Sequence, residues 1–365
     1  ELEYREHKSI TIFTKFPIKK SDDKDLANAS VVIWTTTPWT IPGNRALAYS
    51  KDISYSLFKV LEIIEGSHST VGDEVIIADE LAEQFKEKCK IEKLEKIKSL
   101  EDISNIVCNH PFHNSGYEFD VNLYHADFVT LEQGTGFVHI APGHGPDDYE
   151  LGKANGVEVP ETVDKDGIYF NHVPLFHGKK IFNDDGSDAE ANVAVIIELR
   201  NHNALSGKGS LRHSYPHSWR SKAPVIFRNT PQWFISMETN DLRKKALDAI
   251  EKVNWYPAQG KNRILSMIEN RPDWVVSRQR AWGVPLSIFY HKASGEPLVD
   301  TKLNEKIIKM YEEQGCDVWF EKTKAELLGD EYNPDEYEKV DDILDVWFDS
   351  GCTHAFVLDS KEAVS

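Results

Sequence analysis

Ser30-Val-Val-Ile-Trp-Thr-Thr-Thr-Pro-Trp-Thr-Ile-Pro-Gly-Asn44 begins as an apolar run and ends as a stiff loop. Its first part, Ser30 to Thr35, predicts a buried strand, because β-branched and aromatic residues follow one another up to a turn signal. Pro38 and Pro42 then fix two φ angles and remove two backbone donors, so the strand cannot continue. Thr35, Thr36, Thr37 and Thr40 supply hydroxyls that both donate and accept hydrogen bonds. Such a loop can cradle a polar ligand or position a water. The plainer alternative is a threonine-rich strand end, since Thr favours strands.

Working outward, residues 8–17 alternate with Ile10, Ile12 and Phe16 on one face, which predicts another strand. Residues 54–60 and 70–77 predict two more. Residues 79–89 predict a helix capped by Asp79, with Leu81, Phe85 and Cys89 every four residues. The following lysines, interleaved with Glu, predict a solvated face. Residues 126–140 predict two strands around a turn at Gln133-Gly-Thr-Gly136. Ser187 and Glu190 have capping-box spacing ahead of Val193, Ile196, Ile197 and Leu199. The small residues of 203–210 predict a boundary near 210. Beyond it, 240–253 and 303–314 predict helices, the second stopped by Gly315. Strands dominate early and the remainder is mixed, so the fold class is mixed α/β.

The chain has 365 residues and a formal charge of −18. That length predicts two or three domains. An acidic total argues against a generic DNA-binder, because phosphate contacts need positive charge. The charge is segregated, however: Lys261, Arg263, Arg271, Arg278 and Arg280 make 261–280 basic, whereas 330–349 holds nine acids and one lysine. Cys89, Cys108, Cys316 and Cys352 have no C-x-x-C spacing, which argues against a thiolate zinc site and a disulfide scaffold. Reduced thiols, no signal-peptide profile and no long apolar run predict a cytoplasmic protein off the membrane. The absence of a starting Met suggests a piece of something longer.

Two further segments carry chemistry. Gly134-Thr-Gly-Phe-Val-His-Ile-Ala-Pro-Gly-His-Gly-Pro-Asp-Asp-Tyr149 delivers His139 by an apolar strand into a loop with His144, Asp147 and Asp148. Two His and two Asp could bind a metal. Alternatively, a carboxylate there could grip an ammonium group, or simply cap the following helix. The other segment alternates Trp and Arg through Tyr215–Arg220, Gln232–Phe234, Arg271–Trp274, Ser277–Pro285 and Asp345–Gly351. Arg can fork onto phosphates and aromatic rings can stack on bases; otherwise Arg merely covers a Trp-rich core.

Taken together the chain resembles the bacterial isoleucyl-tRNA synthetases, a class I family. The resemblance rests on W-T-T-T-P-W-T-I-P-G-N (34–44), G-T-G-F-V-H-I-A-P-G-H-G-P-D-D-Y (134–149), S-Y-P-H-S-W-R (214–220), N-R-P-D-W-V-V-S-R-Q-R-A-W-G-V-P (270–285) and L-D-V-W-F-D-S-G (344–351), in the family's order. The valine and leucine sister families carry Arg at the place of Thr37 and an acid at the place of Trp39, which favours isoleucine. The family's H-I-G-H and K-M-S-K-S signatures of ATP chemistry do not occur. The resemblance therefore implies a central piece: a β-rich, barrel-like editing domain over 1–210, a mixed α/β remainder of that insertion over 211–340, and a return towards a Rossmann-type catalytic fold over 341–365.

The resemblance also implies roles. Asp148 would anchor the aminoacyl ammonium, and His139 would line the side-chain pocket and exclude isoleucine. Thr35, Thr36 and Thr37 would hold the terminal adenosine or ester and orient water. Trp34, Trp39, Asn44 and His144 would shape the pocket, and the basic residues of 261–280 would contact the acceptor end of tRNA. The implied partners are isoleucine tRNA mischarged with valine and the rest of the synthetase chain, with no DNA and with a monomer expected. The parent would use ATP and Mg, and this piece no cofactor. Ser218 and Ser221 stand where some members have zinc-ligating cysteines, so no zinc is expected. The rival readings are a metallohydrolase using His139, His144 and Asp148, a tRNA-docking module without catalysis, and a complete synthetase of unusual design.

Overall fold

The computed structural model describes residues 2–359. The chain divides into two compact units, one ending at Thr230 and one starting at Pro231. The expected return segment 341–365 lies, from residue 360 on, outside the described residues.

The first unit is built on a ten-stranded mixed sheet. Its strands are β1 (Leu2–Lys20), β2 (Ser30–Thr35), β3 (Ala46–Tyr49), β4 (Tyr55–Ile63), β5 (Glu74–Ala78), β6 (Ile91–Leu100), β7 (Val107–Asn109), β8 (Asp120–His125), β9 (Phe137–Ile140) and β10 (Leu205–Ser218). The hydrogen-bonded order is β6-β4-β5-β2-β1-β7-β8-β3-β9, with β10 on β1. Among the described residues this pairing is an open path rather than a closed ring of strands. The length of β1 makes it possible: Leu2 to Thr14 pair with β10, Ile12 to Pro17 with β2, and Ile18 and Lys20 with β7.

Both faces of β2 are covered. Val31 and Ile33 join one core with Ile12, Phe16 and Ile76, while Val32 joins a second with Phe13, Val75, Ile77 and Phe85. Successive strand side chains point to opposite faces. A doubly covered strand therefore reads as an unbroken apolar run. Helix α1 (Ala82–Lys88) brings Phe85 onto the second core. Helix α2 (Pro146–Ala154) follows β9 after a short loop. Helix α3 (Glu190–Asn201) lays Ala191, Val195, Ile196 and Leu199 on the first core.

Several local expectations need correction. The stretch 203–210 is no linker: β10 runs through it, paired with β1. Its glycines serve close approach instead, since a Cβ on Gly207 would sit 2.7 Å from Cys89 Sγ. The boundary expected at 210 is displaced accordingly. The expected hairpin at 126–140 is a loop followed by β9 alone, which pairs with β3. Asp79 caps nothing; its carboxylate takes Lys96 at 2.9 Å. The Ser187/Glu190 box does not form either. Ser187 Oγ donates to Asp185, and Glu190 accepts the Lys180 N–H. On α3, Ile196 and Leu199 are buried while Val193 and Ile197 are exposed.

In the second unit, α4 (Leu242–Lys252), α5 (Gln259–Glu269) and α6 (Thr301–Gln314) accompany short strand pairs. Asp300 caps α6, and Gly315 at φ 85° ends it. Phe289, Leu303, Ile307, Trp319, Leu327 and Leu328 form its core. Among the described residues no helix is long and apolar enough to cross a membrane.

Candidate functional site

Two loops of the first unit, one after β2 and one after β9, line a single cleft of about 330 Å³. Trp34, Thr35, Thr36, Thr37, His139, His144 and Asp148 all face it, joined by Thr40, Phe128 and Gln133. Trp39 and Asn44 do not line it. Both lie in the core behind the loop.

The loop after β2 is a 3-10 turn, Pro38–Gly43, and every residue in it is buried. Buried backbone groups need partners, and side chains from distant segments supply them. Asn192 Oδ1 accepts the Trp39 N–H at 3.0 Å, the Tyr169 hydroxyl donates to the Trp39 carbonyl, and His110 Nε2 donates to the Ile41 carbonyl at 3.0 Å. The loop is therefore held in place by the core rather than free to adapt.

Its hydroxyls form a directed chain. Thr40 Oγ1 donates to the Thr37 carbonyl at 2.8 Å, so it can only accept from other groups. Thr37 Oγ1 lies 3.3 Å from Thr40 Oγ1, and Thr35 Oγ1 lies 3.2 Å from Thr37 Oγ1. The protons accordingly run from Thr35 to Thr37 to Thr40. Thr35 Oγ1 also accepts the Thr37 N–H at 3.1 Å. Thr36 has no intramolecular side-chain hydrogen bond among the described residues, so its hydroxyl is available to a ligand.

His139 sits opposite Leu47 in the β3–β9 pair and is buried. Its Nε2 lies 2.8 Å from Thr40 Oγ1, and its Nδ1 lies 3.3 Å from Asn44 Nδ2. Asn44 Nδ2 also donates to the Ala46 carbonyl at 2.8 Å, which fixes the amide's orientation. Burial pushes the imidazole down to about 3, so it is neutral near pH 7.

Asp148 stands in the first turn of α2, beside Asp147. One carboxylate oxygen accepts the Ala141 N–H at 2.8 Å. Burial, helped by the neighbouring Asp147 charge, pushes the carboxyl up to about 6 against the pull of that hydrogen bond. A carboxylate so poor in solvation favours a cationic ligand. His144 donates from Nδ1 to the Phe227 carbonyl at 3.0 Å and accepts from Thr162 Oγ1 at 2.5 Å. Burial pushes it down to about 4. Its ring meets Trp39 edge-on, with centroids 4.8 Å apart. Trp39 thus acts on the cleft through His144.

Among the described residues no group of three or more His, Cys, Asp or Glu side chains is placed to share a metal ion. Both ring nitrogens of His139 and of His144 are already engaged.

The basic residues of the second unit have separate surroundings. Lys261 pairs with Glu251 at 2.7 Å, and Arg278 with the buried carboxylate of Asp345 at 2.6 Å. Arg271 lies over the Trp274 ring at 5.6 Å. Arg263 and Arg280 are in no ion pair among the described residues. Sequence reading missed Thr162, Tyr169 and Asn192, which come from segments far along the chain; Thr40 was read as one of the loop's hydroxyls but given no role of its own.

A family model described as tRNA synthetases class I (I, L, M and V) matches residues 1–364. The isoleucine–tRNA ligase of Pelagibacter ubique is 50% identical over 364 residues, which cover 99% of this chain and 39% of that protein. That of Caulobacter vibrioides is 47% identical over 379 residues, again 99% and 39%. The chain thus spans well under half the length of these relatives. The solved structure "The crystal structure of GlLeuRS-CP1" is 16% identical at a TM-score of 0.30, covering 42% of this chain and 66% of that one, a likeness too low to carry an argument. With the family model spanning nearly every residue, the chain belongs to the class I tRNA synthetases of the I, L, M and V group.

Proposed function

We propose that this chain is the editing portion of an isoleucine–tRNA ligase, and that it hydrolyses valine from isoleucine tRNA charged in error. The observation that carries the proposal is the meeting of Asp148, His139 and the Thr35–Thr37 loop in one cleft. A hydrophobic pocket separates substrates that differ by one methylene by only about 1–3 kcal/mol, isoleucine against valine being the standard example of that limit. A second, smaller site that hydrolyses what fits it makes up the shortfall.

In this reading the free oxygen of Asp148 grips the α-ammonium of the aminoacyl group. His139 limits the depth available to its side chain. The Thr36 hydroxyl orients the ester or the attacking water. The ester is already activated, so positioning and oxyanion stabilisation suffice. Neither imidazole serves as general base, because the ring nitrogens are committed. As water adds to the acyl carbon and the bond to the ribose oxygen breaks, the water's proton passes instead through solvent, or by relay through the neighbouring ribose hydroxyl, to the departing ribose oxygen.

The attachment of isoleucine by a parent that uses ATP and Mg, a monomeric cytoplasmic enzyme, and contact of Lys261, Arg263, Arg271, Arg278 and Arg280 with tRNA belong to the same reading. Valine-charged isoleucine tRNA incubated with the purified chain in the presence of a chelator tests it. Hydrolysis by the wild type and none by Asp148→Ala is expected. Loss of activity to the chelator would instead favour a metallohydrolase, and tight tRNA binding without hydrolysis a docking module.

A further inference from the structure

Behind the threonine wall of the cleft lies a small space of about 10 Å³, and Thr36 and Thr37 face both it and the cleft. Its other side is formed by His7 of β1, Tyr215 of β10, Asp188 just before α3 and Asn192 in the first turn of α3. Tyr215 belongs to the S-Y-P-H-S-W-R stretch (214–220), and its ring lies 5.1 Å from that of His7. Two hydrogen bonds tie this polar group to the loop. The Trp39 N–H donates to Asn192 Oδ1 at 3.0 Å, and Asn192 Nδ2 donates to Asp188 Oδ1 at 3.2 Å. Asn192 is buried and Asp188 half-buried. Neither lines the cleft itself.

A backbone N–H can only donate, so it holds the oxygen of the Asn192 amide on the Trp39 side. The NH2 then faces residue 188, where a carboxylate oxygen accepts it. Trp39 and Asp188 thus agree on one orientation, and a flipped amide would set NH2 against N–H. Trp39 carries the first donor of the turn, because Pro38 has none. The partner of that donor therefore sets where the turn begins and how Thr36 and Thr37, just before it, present their hydroxyls. We infer that Asn192 and Asp188 are positioning residues for the ester hydrolysis: Asp188 orients the amide, and the amide holds the Trp39 N–H and with it the Thr36–Thr37 wall. The inference rests on the editing reading of the cleft. A misplacement of about 1 Å, caused by a change remote from the chemistry, can lower a rate about a hundredfold.

The test measures kcat and KM on valine-charged isoleucine tRNA with the whole chain, under conditions where the urea midpoint shows each variant to be folded. Asn192→Ala should lower kcat about tenfold to a hundredfold and leave KM within about twofold. Asn192→Asp keeps an acceptor for Trp39 but sets two carboxylates against each other, and a loss of about tenfold is expected. The swap Asp188→Asn/Asn192→Asp restores both hydrogen bonds with the second donor reversed, so kcat should return to within about threefold of the wild type. A purely structural role would lower the urea midpoint and leave kcat of the folded protein unchanged. That result would overturn the inference, as would a folded swap that does not recover kcat, or a rise in KM alone. Should Asn192→Ala fail to fold, Asp188→Ala, at a half-buried position, carries the test: kcat falls about fivefold at unchanged KM, and an unchanged kcat overturns the inference.

Hydrogen exchange separates this inference from the reading beneath it. The Trp39 amide, followed by mass spectrometry in a peptide spanning 34–44, should exchange about tenfold faster in Asp188→Ala than in the wild type, the scale of one hydrogen bond. The swap should return it to the wild-type rate. Asp184→Asn, whose carboxylate pairs with Lys180 outside this space, is the control that leaves both exchange and kcat unchanged. Equal protection in Asp188→Ala and the wild type would overturn the link. Should the wild type hydrolyse no ester, the editing reading falls, and the exchange series still decides whether Asp188 and Asn192 hold the turn.

Discussion

Nε2 of His139 lies 2.8 Å from Oγ1 of Thr40, whose own proton is committed to the Thr37 carbonyl. The imidazole must therefore donate at Nε2, and its Nδ1 accepts from Asn44. This fixes one neutral tautomer in a buried, hydrogen-bonded position. His139 is by this geometry a rigid wall of the cleft rather than a proton carrier. The distinction between wall and base decides what its removal does.

Shortening the wall should enlarge the space for the aminoacyl side chain. His139→Ala is expected to leave hydrolysis of valine-charged tRNA largely intact and to raise hydrolysis of isoleucine-charged tRNA by about tenfold or more, the scale of one methylene in an apolar pocket. Initial rates on the two esters check it. Continued full protection of the isoleucine ester would show that another group sets the limit.

The Thr40 contact should register in stability as well. Thr40→Val removes the acceptor and leaves a buried imidazole N–H without a partner, which costs about 1–3 kcal/mol. A fall in the urea midpoint at unchanged m-value measures it. The same variant should partly reproduce the relaxed specificity of His139→Ala, because the ring loses the bond that fixes its place.

Activity should follow the charge of Asp148. Its carboxyl is pushed up to about 6 by burial, so it is ionised at pH 8 and protonated at pH 5. An ammonium anchor works only when ionised. Hydrolysis of valine-charged tRNA is therefore expected to fall as pH drops through about 6. His139, held down to about 3, adds no second transition in that range. A flat profile between pH 5 and 8 would count against the anchor.

Stability should run the other way at the same residue. A carboxyl whose folded value of about 6 exceeds its ordinary 3.8 costs stability above 6 and none below 3.8. Asp148→Asn is thus expected to stabilise the fold by about 1–2 kcal/mol at pH 8, with the gain vanishing at pH 4 and below. Paired denaturant curves at the two pH values check it. The variant should be more stable yet inactive, the usual signature of a group retained for function.

Legibility in the sequence followed physical locality. Strand β2 was readable because both its faces are buried and its apolar run is unbroken. The C-terminal end of α6 was readable because Gly315 takes the positive φ that stops a helix, whereas its start lies two residues before the expected one, at Thr301 behind the Asp300 cap. The loop 126–136 was not. Gly134 and Gly136 look like hairpin glycines, but they serve close passage past Trp34 and Ala78. Ser187 and Glu190 have the right spacing for a box, yet nearer partners, Asp185 and Lys180, capture them. In the site, Thr35–Thr37, His139 and Asp148 stood out by residue type, and they do line one cleft. Trp39 was assigned to the cleft and belongs to the core behind it. Asn192 and Tyr169 hold that loop from more than a hundred residues away, and no local pattern announces such contacts.

The most direct test of the central claim is the single-turnover rate of the purified chain on valine-charged and isoleucine-charged isoleucine tRNA, measured side by side. Rapid loss of valine with isoleucine retained is the expected result. Equal rates on the two esters, or selective loss of isoleucine, would contradict the assignment of this cleft as the smaller, hydrolytic site.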